Sequence, residues 1–224
     1  MEIIARIHND FKEKFGIPRQ SGRVNNVSEI VFEPKYRKDE ALTGILEYSY
    51  IWIIFDFSLA HKEEWSPTVR PPRLGGNKRM GVFATRSPYR PNNIGLSSVK
   101  LLGIKKDEKY GSRIIVEGAD LLDGTPIYDI KPYLKYCDCH TDADDGFAAP
   151  FIDHKIVVED PENLLSALGD EKRAVLVACI EDDPGVAYVE EERSYGMRFY
   201  NADVRFTLYC GKATITQVKI REND

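Results

Sequence analysis

Three polar segments, rich in Gly, Pro and Arg, hold the residues best suited to ligand chemistry: 14–20, 70–97 and 123–133. Arg73, Arg86 and Arg90 lie near prolines, which stiffen the backbone and reduce the entropy lost when a ligand binds,. Each guanidinium offers a planar fork to phosphate or carboxylate. One such segment alone carries little weight, because Gly and Pro also set ordinary surface turns. Three of them together favour a site for an anionic ligand.

The second of these segments belongs to a strongly basic stretch. The whole chain has a formal net charge of -5, which disfavours a polyanionic partner, but residues 66–106 contain no Asp or Glu. The cations of this stretch are Arg70, Arg73, Lys78, Arg79, Arg86, Arg90, Lys100, Lys105 and Lys106. A local basic field attracts a nucleic acid even on an acidic protein. The alternative is a solvated face whose charges are balanced by acidic residues elsewhere in the fold.

Composition disfavours several classes of protein. The cysteines are sparse enough to be free thiols, and they are Cys137, Cys139, Cys179 and Cys210. The run from Cys137 to His140 has no second Cys/His pair at zinc-finger spacing, so we expect no metal site. No apolar run approaches the roughly 18 residues that a membrane span needs. The first residues also lack the features of a signal peptide, and we therefore expect a cytoplasmic protein.

The periodicity of residues 1–137 predicts a mainly β, mostly antiparallel domain. Apolar and β-branched runs between short turns indicate strands, at residues 3–7, 27–32, 48–57, 97–105, 113–121 and 127–130. A short helix is expected over residues 36–42. No Gly-x-Gly-x-x-Gly turn links a strand to a helix, which disfavours a Rossmann fold.

The chain changes character after a polar, acidic linker at residues 138–150. Apolar residues recur every three or four positions over residues 161–180, which predicts a helix. Alternation over residues 199–220 predicts a hairpin around Gly211-Lys212. Residues 151–224 are therefore predicted to form a small α+β domain.

The polar segments also resemble those of a known family. The matching stretches follow the same order, at residues 14–20, 67–77, 80–97 and 123–133, with a weaker match at residues 183–188. On these motifs residues 1–136 resemble the TrmO family (also called TsaA-like or YaeB-like) of tRNA N6-threonylcarbamoyladenosine methyltransferases. The resemblance implies a single antiparallel β-barrel that binds S-adenosylmethionine, and a homodimer. It also implies methylation of N6 on threonylcarbamoyladenosine next to the anticodon of a threonine tRNA.

The resemblance further implies roles for individual residues. Cofactor contacts are placed at Pro18, Arg19, Gln20, Ser58, Leu59, Arg86, Leu96, Asp123, Gly124, Thr125 and Pro126. The basic residues predicted to meet RNA are Arg73, Lys78, Arg79 and Arg90. Arg86 suits the cofactor carboxylate, and Asp123 suits a hydroxyl or the ammonium. Without the family match, Asp123-Gly124 predicts only a turn.

The reaction makes modest demands on side-chain chemistry. Holding the nucleophile and the methyl group in near-attack geometry supplies much of the acceleration of such a displacement. The urea-like N–H of threonylcarbamoyladenosine is more acidic than a plain adenine amine, so a strong base is not needed. Candidates for a weak proton acceptor, each at least as well suited to a structural role, are Asp129, Tyr133, Asp183 and Tyr188. The aromatic side chains that suit either stacking on loop bases or the core are Trp65, Phe83 and Tyr89.

Two positions depart from the family pattern. Asn93 stands where relatives commonly carry proline, which relaxes a turn and removes no functional group. Gly185 stands where many bacterial members carry arginine, so tRNA affinity or choice differs here if that arginine contacts RNA. Two other functions stay open: a non-catalytic RNA-binding module and a methyltransferase for another acceptor. Salt-sensitive RNA binding without cofactor binding would favour the module.

Overall fold

The computed structural model describes residues 1–76, 78–184 and 191–221. The chain divides into two compact units, each built from several stretches of sequence. The first unit comprises Met1–Asn9, Gln20–Val69 and Arg79–Asp144. The second comprises Asp10–Arg19, Arg70–Lys78 and Asp145–Asp224. None of the helices in the described residues is long and apolar enough to cross a membrane.

Strands are the main regular elements of the first unit. They are β1 (Ala5–His8), β2 (Val27–Phe32), β3 (Tyr50–Asp56), β4 (Thr68–Val69), β5 (Met80–Gly81), β6 (Ile94–Asp107), β7 (Gly111–Glu117) and β8 (Pro126–Pro132). Six of them pair antiparallel in the order β1-β2-β7-β6-β3-β8. Strand β8 pairs back onto β1, so the ladder closes into a barrel. The short strands β4 and β5 pair with each other. The prediction of a mainly β fold is confirmed.

Alternating burial explains why these segments form strands. In β3 the side chains of Ile51, Ile53 and Phe55 are buried, while those between them are at least partly exposed. Strand β7 repeats the pattern, with Ile114 and Val116 fully buried. A strand places successive side chains on opposite faces, so this alternation fills the barrel interior with one face of each strand. Each buried Ile or Phe contributes roughly 1.5–3 kcal/mol relative to an exposed one.

One glycine is required inside the barrel by a close approach. Gly95 on β6 lies opposite Phe55 on β3. A Cβ atom at residue 95 would lie 2.2 Å from the ring carbon Cζ of Phe55. The missing side chain therefore makes room for a large ring, and this balance of small and large residues fills a narrow barrel.

Short helical turns connect the strands of the first unit. The 3₁₀ turns are Pro34–Tyr36, Asp39–Leu42, Ile45–Glu47 and Val82–Ala84, and a single-turn helix, α1, spans Lys135–Asp138. The prediction of one helix over residues 36–42 is wrong, since one 3₁₀ turn ends at Tyr36 and a separate one spans Asp39–Leu42. Pro34 occupies the first position of the first turn, and Lys38 between the turns is extended (φ -118°, ψ 114°).

The second unit combines one sheet with one longer helix. Its strands are β9 (Val157–Glu159), β10 (Arg193–Phe199), β11 (Ala202–Tyr209) and β12 (Lys212–Ile220). They pair in the order β10-β11-β12-β9, and β9 runs parallel to β12. The helix α2 spans Asp170–Glu181, and 3₁₀ turns span Pro72–Leu74, Gly146–Phe151 and Leu164–Leu168.

Two local features of the second unit differ from prediction. The expected helix over residues 161–180 is wrong in its first half, because Gly169 (φ 74°, ψ 162°) separates a 3₁₀ turn from α2. The hairpin is confirmed, but its turn lies at Cys210 and Gly211, one residue earlier than expected. Both residues have positive φ, at 47° and 74°. A two-residue hairpin loop with positive φ at both positions is the type I′ turn, whose twist matches that of the strands.

Candidate functional site

Arg86 and Gln20 are brought together in the first unit although 66 residues separate them. Nη1 of Arg86 donates a 2.5 Å hydrogen bond to Oε1 of Gln20. The Arg86 side chain is exposed, and this bond orients its guanidinium while other N–H groups remain for a ligand,. Both residues were predicted to contact the cofactor, and their pairing supports a shared site.

A partly buried carboxylate, Asp120, is close enough to the same guanidinium for its positive charge to act on it. Ser97 is buried, and its Oγ donates a 2.6 Å hydrogen bond to Oδ1 of Asp120. Burial raises the pKa of Asp120, while the hydrogen bonds and the positive charge of Arg86 act in the opposite direction. Buried carboxylates with a raised pKa and a specific cationic neighbour are typical of functional sites.

Sequence reasoning missed Asp120. The residue directly follows buried Ala119 and precedes buried Leu121, so it is an acidic residue within an apolar run. That placement is the signal that could have found it, because a carboxylate among core residues needs partners. We name Gln20, Arg86, Ser97 and Asp120 the polar cluster.

Asp123 and Gly124 form a turn, as their sequence alone predicts. The amide of Thr125 donates to the carbonyl of Leu122 at 3.1 Å, and Gly124 has φ of 79°. The Asp123 side chain accepts a hydrogen bond from the amide of Asn9 at 3.1 Å and lies 3.2 Å from Nδ1 of His8. The turn is therefore bonded to the C-terminal end of β1, and these contacts fix the position of the Asp123 side chain.

The remaining predicted cofactor residues of the first unit differ in exposure. Thr125 and Pro126 are buried, whereas Ser58 is exposed in the turn that follows β3. Leu59 and Leu96 are 59% and 55% exposed, which is high for leucine. Apolar side chains held in water are candidates for contact with a ligand or a partner surface.

Asn93 does more than the sequence suggested. Its Nδ2 donates to the carbonyl of Pro88 at 2.7 Å and to that of Ala60 at 3.2 Å. The amide of Phe57 also donates to the backbone carbonyl of Asn93 at 2.8 Å. The side chain therefore fastens the loop before β6 to the turn after β3. The Asn93 amide adds two contacts that a proline at this position lacks,.

Pro18 and Arg19, also predicted to contact the cofactor, belong to the second unit. Arg19 donates from Nη2 and Nε to the backbone carbonyl of Asp183 at 2.9 and 3.3 Å. Burial lowers the pKa of Arg19, as does the charge of Arg73, and the two aspartates Asp182 and Asp183 oppose this. Arg19 is thus part of a partly buried charged cluster.

The proton-acceptor candidates occupy different environments. On β8, Oδ2 of Asp129 pairs with Nζ of Lys131 at 3.0 Å. Tyr133 packs against Trp52, with ring centroids 5.6 Å apart, and burial followed by the nearby Cys139 raises its pKa. A raised pKa favours the neutral phenol, which donates hydrogen bonds rather than accepting a proton. Asp183, in the second unit, contacts Nε2 of His154 at 3.2 Å, and Tyr188 lies outside the described residues.

The cations of the basic stretch that lie in the first unit differ in their partners. Lys100, Lys105 and Lys106 lie 3.1, 4.0 and 3.0 Å from carboxylate oxygens, so the solvated, balanced face describes these three. Arg79 instead donates to the Thr68 hydroxyl at 2.9 Å, and Arg90 to the Thr85 carbonyl at 2.7 Å.

Two further residues predicted to meet RNA lie in the second unit. Lys78 is exposed. Arg73 donates from Nη1 to the carbonyl of Phe151 at 2.8 Å and lies 3.8 Å from Asp182. Its guanidinium is thus engaged with its own unit, which favours a role in positioning that part of the chain.

Comparison with known proteins gives this cluster a family context. The sequence profile of the tRNA-methyltransferase O N-terminal domain matches residues 6–139. The chain belongs to the TrmO family. Crystal structures of TrmO from Pseudomonas aeruginosa share the fold, with TM-scores of 0.76 and 0.74 at 32% identity. The alignment with the first covers 97% of this chain and 95% of that chain.

Curated TrmO relatives carry names that describe their chemistry. A protein of Escherichia coli named tRNA (adenine(37)-N6)-methyltransferase is 39% identical over 223 residues, covering 92% of this chain and 91% of its own. A protein of Pseudomonas aeruginosa, RcsF, is 39% identical over 216 residues, covering 91% and 90%. Its name places it among S-adenosylmethionine-dependent methyltransferases. The polar cluster lies wholly within the part matched by the TrmO profile.

Proposed function

We propose that this chain transfers the methyl group of S-adenosylmethionine to N6 of threonylcarbamoyladenosine at position 37 of a threonine tRNA. The observation that carries the proposal is the polar cluster of the first unit, in which Arg86 is oriented by Gln20 and its charge acts on the partly buried Asp120. The name of the Escherichia coli relative supports N6 and position 37. We propose the cytoplasm as the place of action, because the substrate is a tRNA.

The residues of the first unit suit the parts of S-adenosylmethionine. The exposed guanidinium of Arg86 suits the carboxylate of the amino acid end. Asp123 suits a ribose hydroxyl or the ammonium, and exposed Leu59 suits the adenine ring,. When bound, the cofactor supplies an electrophilic methyl group on a sulfonium. We propose the closed barrel as the scaffold for this site, in place of a Rossmann sheet.

The protein's own contribution to the chemistry is mainly positioning and proton acceptance. Loops fixed by Asn93 and by the Asp123 turn hold the site on a rigid barrel, and rigid sites favour near-attack geometry,. The reaction releases a proton from N6. We add Asp120 to the candidate acceptors, because its raised pKa brings its proton affinity closer to neutral pH than that of an exposed carboxylate,.

We further propose that the protein acts as a homodimer. Ile94 and Leu96 point outward from β6 and are 38% and 55% exposed. Ile54, the cross-strand neighbour of Leu96, is only partly buried. A stripe of aliphatic side chains on an outer barrel face suits a second copy of the chain. Sedimentation velocity of the wild type and of Ile94→Asp tests this, and a monomeric wild type would contradict it.

The experiment that tests the proposed function separates it from the two alternatives. Purified protein is titrated with S-adenosylmethionine by calorimetry and then assayed in single turnover with tRNA that carries threonylcarbamoyladenosine. We expect cofactor binding and methylation of the modified tRNA. RNA binding without cofactor binding would indicate a non-catalytic module. Cofactor binding with equal activity on tRNA lacking the threonylcarbamoyl group would indicate another acceptor.

A further inference from the structure

Two aromatic rings of the first unit, those of Trp65 and Phe83, are exposed side by side. Phe83 lies in the basic stretch, residues 66–106, and Trp65 directly precedes it. Phe83 is 73% exposed and Trp65 is 52% exposed. Their ring centroids lie 6.1 Å apart, with the planes tilted by 32°. The alternative that these side chains belong to the core is therefore wrong. Large apolar side chains clustered in water are unfavourable unless a ligand or partner covers them.

The backbone holds this ring pair rigidly. Strand β4 follows Trp65 in the chain and strand β5 precedes Phe83. The two strands pair with each other, with Thr68 opposite Gly81. The amide of Val82 also donates to the carbonyl of Pro67 at 2.9 Å. The exposed rings are thus presented by two cross-linked segments rather than by a free loop, so little entropy is lost when a ligand stacks on them.

One cation lies beside the pair, and two others lie on neighbouring segments. Cζ of Arg90 lies 5.9 Å from the Phe83 ring centroid, and Arg90 donates to the carbonyls of Val82 and Thr85. Nζ of Lys62 lies 4.4 Å from the ring centroid of Tyr89, which is itself 41% exposed. Arg79 is exposed and bonded to Thr68. Two exposed carboxylates, Glu63 and Glu64, precede Trp65 and oppose this field.

Exposed aromatic rings with cations nearby suit single-stranded RNA as a ligand. Unpaired RNA bases offer flat faces for stacking and carry a phosphate at every nucleotide. A duplex hides those faces. The cationic surroundings favour a polyanion over a second, acidic copy of this chain, whose net charge is -5,.

We propose that Trp65 and Phe83 form a stacking platform for unpaired bases of an RNA loop, with the exposed Arg79 directed at its phosphates and Arg90 held beside the Phe83 ring. The proposal rests on the proposed function for the identity of the RNA, which is then the anticodon loop of the substrate tRNA. It deepens that function by assigning the residues that select a single-stranded loop over a helix.

The chain offers a direct optical test, because it contains only two tryptophans. Replacing Trp52 by Phe leaves Trp65 as the sole emitter. This variant is titrated with an anticodon stem-loop RNA and, separately, with a fully paired duplex of equal length. We expect the stem-loop to quench Trp65 emission and the duplex to leave it unchanged. Equal quenching by both RNAs, or none by either, would overturn the platform.

Affinity gives an independent test that does not use the Trp52→Phe background. Trp65→Leu and Phe83→Leu keep apolar bulk and remove the ring, and both sites are exposed, so thermal melting should change little. Stacking of a base on an aromatic ring predicts a roughly 5- to 150-fold loss of stem-loop affinity for each variant. Tyr110→Leu is the matched control, since Tyr110 is an exposed ring beside Arg37 and Lys109 on the β6–β7 turn. Unchanged affinity in both platform variants would contradict the proposal.

Two further outcomes are informative. Glu64→Gln should tighten stem-loop binding, because it removes an opposing charge beside the platform. If Phe83→Leu instead abolishes self-association and leaves RNA affinity intact, the rings form an interface between copies and the platform is wrong. All binding is measured without S-adenosylmethionine. Stem-loop binding with no methyl transfer would therefore defeat the proposed function alone, and methyl transfer with unaltered binding by both variants would defeat the platform alone.

Discussion

Ser97 and Asp120 form a 2.6 Å hydrogen bond between a buried hydroxyl and a carboxylate whose pKa is raised by burial. A raised pKa means that the folded state binds the proton more tightly than the unfolded chain does. The ionised carboxylate therefore opposes folding, and stability is lost as the pH rises from the ordinary value of 3.8 through the folded pKa,.

Replacement of Asp120 by Asn is expected to raise the melting temperature near neutral pH, because the amide keeps an acceptor for Ser97 and carries no charge. The gain should vanish below pH 3.8, where the aspartate is protonated in both states. Urea unfolding of both proteins across this range checks it. Asp107→Asn is the control with the opposite sign, since backbone hydrogen bonds from Tyr110 and Lys109 lower the pKa of Asp107. If Asp120→Asn destabilises near neutral pH and this loss disappears below pH 3.8, the attraction of Arg86 outweighs burial.

Replacement of Arg86 by Lys is expected to weaken S-adenosylmethionine binding. Lysine keeps the charge but loses the planar fork and the bond to Gln20,. A lost hydrogen bond to a charged group predicts a roughly 10- to 150-fold higher Kd by calorimetry. Arg37→Lys, at an arginine that bonds to the carbonyls of Phe32 and Lys109, is the control and should bind normally. A wild-type Kd for Arg86→Lys would remove Arg86 from the cofactor site.

Replacement of Gly95 by Ala is expected to destabilise the barrel, because the new Cβ would lie 2.2 Å from the Phe55 ring. Overpacking of this kind costs about 1–3 kcal/mol of the free energy of unfolding, measured in urea. The double variant Gly95→Ala with Phe55→Leu should recover part of that loss. Gly81→Ala meets nothing within 4 Å and should leave stability nearly unchanged. No recovery in the double variant would show that the Phe55 ring is not the obstacle.

The cysteines are expected to fall into two reactivity classes. Burial raises the pKa of Cys179 to about 12, so its thiolate is scarce and shielded,. The thiols of Cys137, Cys139 and Cys210 are exposed. A chromogenic disulfide reagent should therefore titrate three thiols in the native, reduced protein and the fourth only after unfolding. Rapid titration of all four in the native state would place Cys179 at the surface.

The barrel strands could be predicted because their side chains alternate between core and solvent, as in the buried positions of β3. Strand β6 begins at Ile94, earlier than expected, because Gly95 weakens the sequence signal although the barrel requires it. Strand β10 was not predicted, since Gly196 and several charged residues interrupt its apolar pattern,. The false continuation of α2 has a different cause. Leu164, Leu165 and Leu168 are spaced as in a helix and continue the apolar pattern of α2 in the sequence. The chain breaks at Gly169, whose backbone conformation is visible only in the structure.

Part of the candidate site could be predicted because the family resemblance assigned the cofactor contacts to residues in matching segments. Arg86 and Gln20 were both chosen from sequence, and the structure joins them. Asp120 was missed because its significance comes from burial and from Ser97, which lies 23 residues away. Arg90 was predicted as an RNA contact from its charge and its proline-containing segment, whereas its bonds to the Val82 and Thr85 carbonyls depend on the local fold. Contacts that depend on chain folding cannot be read from residue type.

The most direct test of the central claim is mass spectrometry of tRNA nucleosides from cells with and without the gene for this protein. The account predicts that methylated threonylcarbamoyladenosine disappears when the gene is removed, that the unmethylated nucleoside accumulates, and that the wild-type gene restores the methylated form. An unchanged level of the methylated nucleoside in the cells that lack the gene would contradict it.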